Sequence, residues 1–213
     1  MPLSRDRVIK VAVELADEAG IDGLTMRALG QRLGVEAMTL YYHVGRKEQL
    51  LAAIADTVVA EMQVPEPGGD WREELRRAAL SAHEVLERHP WATPLILTAP
   101  PVPARLRQMN GILGCLRLAG FPPETTDRAY HVLDSHIMGS ALWITRIEGD
   151  RPDDLAARAS DLLETLAADD LPWLAEHVEQ HLKPPDPSAA GSFDFGLDLI
   201  LDGLARLRAP GGR

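Results

Sequence analysis

The stretch that most constrains this chain is residues 24–51, LTMRALGQRLGVEAMTLYYHVGRKEQLL. Its punctuation predicts two short helices joined by a tight turn, with a basic segment opening a third. That is the layout of a helix-turn-helix, which lays its second helix in the major groove of duplex DNA. Thr25 is placed to cap the first of these helices by accepting from backbone N–H groups of its first turn. Ala28, Leu29 and Leu33 make an apolar stripe at helical spacing. Gly34 follows directly, where a left-handed residue ends a helix cheaply.

Residues 36–43 then form the second helix, with Leu40 and Val44 turned inward. Ala37, Met38, Thr39, Tyr41, Tyr42 and His43 are left largely outward. Hydroxyls, a ring N–H and small apolar groups suit a groove, where they meet phosphates and thymine methyls. Arg46 and Lys47 open the third helix, against the sense of the helix dipole, and a nearby phosphate would offset that cost. A glycine between short amphipathic helices also occurs in proteins that bind no DNA, and exposed tyrosines also serve protein interfaces.

Residues 7–54, through AVELADEAGIDGLTMRALGQRLGV and TLYYHVGRKEQLL, resemble the N-terminal domain of the tetracycline repressor (TetR) family. The closing segment FDFGLDLILDGLARL is similar to the last helix of the tetracycline repressor type. The resemblance implies an all-α homodimer, with a small DNA-binding domain and a larger domain for ligand binding and dimerisation. It implies that Arg27 reaches a base edge, and that Thr25, Tyr41, His43 and Lys47 contact phosphates. Thr39 would touch backbone or base. Ala37 and Met38 stand where the tetracycline repressor has glutamine and proline, so the operator should differ. Neither residues 64–69 nor residues 95–101 contain a histidine. The resemblance places there the histidines that hold tetracycline and its magnesium ion, so a magnesium–tetracycline complex is not the expected ligand.

The net charge of −10 looks wrong for a DNA binder until it is mapped. Residues 1–50 carry seven Lys/Arg and seven Asp/Glu, so the whole excess lies beyond them. The acidic part should point away from DNA. The single cysteine, Cys115, excludes an internal disulfide and a zinc finger and reads as a core residue. His131 and His136 are five apart and share a helix face poorly. His177 and His181 have i, i+4 spacing but no evident third ligand, so neither a metal nor a cofactor is expected. No apolar run approaches the ~20 residues that span a bilayer and no signal peptide is evident, which predicts a cytoplasmic protein.

The expected architecture is all-α: a three-helix helix-turn-helix domain over 1–48 and a helical ligand-binding and dimerisation domain over 49–213. Helices are predicted over residues 4–19, 46–62, 71–88, 104–119, 126–148 and 193–208, with a short helix with irregular flanks within the Pro-interrupted 89–103 and pieces within 152–182. The helices at 126–148 and 193–208 are apolar on several faces, so each must bury more than one. A four-helix bundle with a symmetry mate satisfies that, through Leu133, Ile137, Ser140, Ile144, Leu197, Ile200, Leu201 and Leu204. Gly139, Gly196 and Gly203 would let backbones approach.

An apolar effector pocket is expected inside the C-terminal bundle, lined from Trp91, Leu95, Met109, Ile112, Leu116, His131, Ser135, His136 and Trp143. The function expected is a ligand-responsive repressor, not an enzyme. No nucleophile–base–acid set or phosphate loop is visible. A homodimer would bind a palindromic double-stranded DNA operator and be released by a small apolar molecule. The alternatives are an activator, or a helical interaction module using Met38, Tyr41 and Tyr42.

Overall fold

The computed structural model describes residues 3–147, 171–182 and 191–208, without the side chains of 144–147 and 181–182. Among these residues all regular structure is helical: α1 (Arg5–Gly23), α2 (Met26–Leu33), α3 (Ala37–Val44), α4 (Lys47–Glu61), α5 (Trp71–Arg88), α6 (Ala92–Thr98), α7 (Pro103–Leu118), α8 (Pro123–Ile147), α9 (Pro172–Leu182) and α10 (Ser192–Leu207). The segment 152–171 expected to be helical in pieces lies outside the described residues, except Leu171.

The first three helices wrap Val8, Ala12, Leu29 and Leu40, each fully buried. Ser4 caps α1 by accepting from the Arg7 N–H. Helix α1 does not stop at Ala19. Gly20, at φ 70°, kinks the backbone and one more turn follows to Gly23. Ala19, just before the kink, is exposed.

Helix α4 leaves this small bundle and packs on α5, α6 and α7. Its start is capped in reverse: the Gln49 side-chain oxygen accepts from the Arg46 N–H at 2.9 Å. The turn before it uses Gly45 at φ 69°, where a side chain would strike Gln49. Helices α5, α7, α8 and α10 form the C-terminal bundle around Leu75, Leu116, Leu133, Leu197 and Leu201. Asp70 caps α5 by accepting from the Arg72 N–H. Phe121, fully buried after the α7 turn, meets the Trp71 ring edge-on at 5.2 Å.

An ionic seam holds α10 to α5. Arg72 pairs with Asp202 at 2.6 Å, and Arg76 with Asp194 at 3.5 Å and with Asp198. These groups are partly solvated, so the seam sets register more than it adds stability.

Candidate DNA interface and effector site

The putting together of the reading helices rests on three local devices. Thr25 Oγ1 accepts from the Ala28 N–H at 3.0 Å and starts α2. Gly34, at φ 71° and ψ 31°, ends it, and the Val35 N–H donates back to the Gly30 carbonyl at 2.9 Å. Gly30 is buried where α3 begins. A Cβ there would lie 2.8 Å from the Val35 oxygen and 3.2 Å from the Ala37 nitrogen. Leu40 and Val44 then fasten α3 to the small core. The Glu18–Arg32 pair ties α1 to α2, and the guanidinium holds the Glu18 carboxyl below its usual range.

The outward side of this unit carries the residues singled out from sequence. Met38 is 68% and Tyr42 88% exposed, and Tyr41, Arg27 and Lys47 are exposed as well. Ala37, Thr39 and His43 are half-buried, so they present less surface than their sequence positions suggested. Among the described residues the side chains of Arg27, Lys47, Tyr41, Tyr42 and His43 make no hydrogen bond or ion pair. Two cations and two phenols thus stand on one face without an internal partner.

The effector residues do not converge in the same way. Ile112 and Leu116 are buried on α7, with Met109 and Leu95 packed against the core. Trp91 is buried but turned toward α1, its Nε1–H donating to Asp17 at 2.6 Å. His136 lies half-buried, stacked on Phe193, with Nε2 2.9 Å from the Phe193 carbonyl. His131 and Ser135 are exposed on α8, and Trp143 is 64% exposed. Of the nine, only Ile112 lines the small cavity inside the bundle, of about 10 Å³.

That cavity has a polar wall which reading for apolar faces missed. Arg105 is buried and pairs with Asp134 of α8, with Tyr130 Oη 3.4 Å and Gln108 Oε1 3.3 Å away. Burial pushes the Tyr130 phenol above its ordinary value, against the opposing pull of Arg105. Ala78 and Ala82 face them from α5. The signal was present in the spacing: Arg105, Gln108, Ile112 and Cys115 fall at i, i+3, i+7 and i+10, the buried stripe of α7. Burial, with the Glu74 carboxylate adding, pushes the Cys115 thiol up to about 11, so it is an inert core group.

Five of the eight residues expected at the dimer interface are instead taken up within the subunit. Leu133, Ile137, Leu197, Leu201 and Leu204 are buried inside the single subunit, Leu133 to 1% exposure. Ser140 and Ile200 are half-buried, and the Ile144 side chain lies outside the described residues. What α8 and α10 leave exposed is a second apolar stripe, of Val132, Leu142 and Trp143 with Phe195, Leu199 and Leu207. Gly139 opens onto it. Gly196 instead serves the subunit interior, because a Cβ there would strike the His136 ring.

Among the described residues no group of three His, Cys, Asp or Glu could hold a metal ion, and no helix is long and apolar enough to cross a membrane. His177 is exposed on α9, and the His181 side chain lies outside the described residues.

Two family models match. Residues 8–54 fit "Bacterial regulatory proteins, tetR family", and residues 64–208 fit "Tetracyclin repressor-like, C-terminal domain". The chain belongs to the TetR family of transcriptional regulators. Its relatives include the HTH-type transcriptional repressor DrrR1 of Streptomyces coeruleorubidus, 31% identical over 217 residues, covering 97% of this chain and 79% of that protein. The tetracycline repressor protein class C of Escherichia coli is 30% identical over 209 residues, covering 97% and 92%. Among solved structures, the TetR family protein ActR of Streptomyces coelicolor in complex with actinorhodin superposes with a TM-score of 0.78 at 26% identity, covering 98% of this chain and 100% of that one. These TetR-family relatives are regulators, not enzymes.

Proposed function

We propose that this TetR-family regulator acts as a homodimeric repressor, placing α3 of each subunit in successive major grooves of a palindromic operator. Residues 1–48 would form the DNA-binding domain and residues 49–213 the ligand-binding and dimerisation domain. The observation that carries the reading is the outward face of α2 and α3, where Arg27, Met38, Tyr41 and Tyr42 stand exposed over a fully buried Leu40. Recognition helices about 34–36 Å apart would match one turn of duplex. The exposed apolar stripe of α8 and α10 supports the two-fold interface that sets this spacing.

The effector is a small molecule with an apolar body that would open the cavity of about 10 Å³ against Ala78, Ala82 and Ile112. Its polar end would meet Arg105, Gln108 and Tyr130. Such a molecule favours a conformation with a different spacing and releases the operator, which is ordinary linkage between two states. The relative bound to actinorhodin supports a ligand-responsive reading.

Selection of duplexes from a randomised pool, followed by sequencing, tests the function directly. The expected product is a palindrome with half-sites one helical turn apart. Affinity for it should fall about 10³-fold or more between 50 and 200 mM salt if about six phosphates are contacted. Salt-insensitive capture would point to a protein partner for Met38, Tyr41 and Tyr42 instead.

Two substitutions separate the contact types. Arg27→Ala should cost about 1–3 kcal/mol and relax preference at one base position. An equal loss on every sequence would remove it from base reading. Lys47→Ala should weaken all duplexes evenly and reduce the salt slope by about one unit. A slope identical to that of the unaltered protein would place Lys47 off the phosphates.

A further inference from the structure

The first turn of α7 is held at consecutive residues by two different helices. Val102 provides no side-chain cap and Pro103 has no N–H, so Ala104 carries the first free donor of the helix. That donor is taken by Asp56 Oδ1, from the middle of α4, at 2.7 Å. A cap serving α7 alone would be supplied by the residue just before the helix. This one comes from 48 positions away in the chain, and a carboxylate is favoured at a helix start.

The next residue, Arg105, is only 9% exposed and runs the opposite way, into the bundle interior, to the Asp134 carboxylate. Arg105 borders two small cavities. One lies inside the bundle with Ala78 and Ile112, and the other lies under Ala55 of α4. Helix α4 in turn begins at Lys47 on the outward face and packs on α1 and α3. One turn of helix therefore has one hand in the cavity and the other on the strut that carries the reading helices.

We propose that the Asp134–Arg105 pair and the Asp56–Ala104 cap form a relay that couples the bundle interior to the placement of α4, with Asp56 as its positioning residue. The proposal rests on the operator-binding reading above and names the route by which that site is regulated. A buried guanidinium does not leave its carboxylate unless another acceptor replaces it. An effector oxygen (carboxylate, carbonyl or phenolate) competing with Asp134 meets that condition. The guanidinium then shifts, the stiff first turn follows, and the charge-assisted cap carries α4 with it.

A double-mutant cycle tests the relay without the effector. Asp134→Asn loosens the cavity end and Asp56→Ala cuts the α4 end. The readouts are affinity for the operator recovered by selection, and hydrogen exchange of α4 in the free protein. Asp134→Asn is expected to weaken operator binding about tenfold, within the usual range of coupling between sites. It should also speed exchange in α4. Both effects should vanish in the Asp56→Ala background and return with Asp56→Asn, which keeps an acceptor oxygen. Equal effects in both backgrounds, or none on α4 exchange, would overturn the relay. If Asp134→Asn does not melt cooperatively, Arg105→Met/Asp134→Leu removes both charges together and enters the same cycle. A wild-type protein that enriches no duplex would overturn the operator reading instead, and the exchange measurement still decides the relay.

Discussion

Gly139→Leu is expected to split the protein into monomers at micromolar concentration and to weaken operator binding by about 100-fold or more. Within one subunit the opposite is expected. A Cβ at Gly139 meets nothing within 4 Å, and a helix-interior glycine costs about 0.5–1 kcal/mol relative to Ala, most of which Leu recovers. The loss must come from a second copy. Gly139 lies on the stripe formed by Val132, Trp143 and Leu199, all exposed in the subunit. Overpacking typically costs about 1–3 kcal/mol per site, and in a two-fold interface each substitution occurs twice. Sedimentation velocity reads the result. A variant that stays dimeric and melts at a higher temperature would show that this face is not the interface.

Gly30→Leu is expected to abolish specific operator binding while leaving the C-terminal bundle folded and dimeric. The side chain would have to enter a space bounded by backbone, the Val35 oxygen and the Ala37 nitrogen, which has no rotamer to give. The start of α3 must move, and with it every residue proposed to reach the groove. A 1 Å error in a site of this kind is enough to break several hydrogen bonds at once. Gel shift with the selected operator, beside near-ultraviolet dichroism of the C-terminal tryptophans, separates the two parts. Retained sequence-specific binding would mean that α3 is held in place by Leu40 and Val44 alone.

Gly34 and Gly30 differ in how far the sequence exposes them. Gly34 could be placed because a left-handed cap is a local device, and its neighbours Leu33 and Val35 fix where the helix stops. Gly30 sits inside a helical pattern, and its reason is a backbone that comes back against it five and seven residues later. Gly196 was assigned to the contact between subunits and instead makes room for His136, which is 60 positions away in sequence. Hydropathy could say that α8 and α10 are apolar all round. It could not say which face α5 and α7 would take.

The effector site shows the same division. Arg105, Gln108 and Asp134 escape a search for an apolar pocket, which discards charged and amide side chains. Their burial becomes rational only when Arg105 and Asp134, 29 residues apart, neutralise each other. Trp91, expected in the pocket, instead donates to Asp17 of α1, 74 residues earlier.

The sequence by itself determined the helical class, the ends of most helices, the helix-turn-helix with its outward tyrosines and cations, and the family. These rest on capping, left-handed glycines and periodicity, all of which act within a few residues. Only the tertiary structure decided which of two apolar faces is the subunit core, where the buried charge lies, and that α4 caps α7. Those choices are contacts between residues dozens of positions apart, and their energies depend on partners that no local pattern identifies.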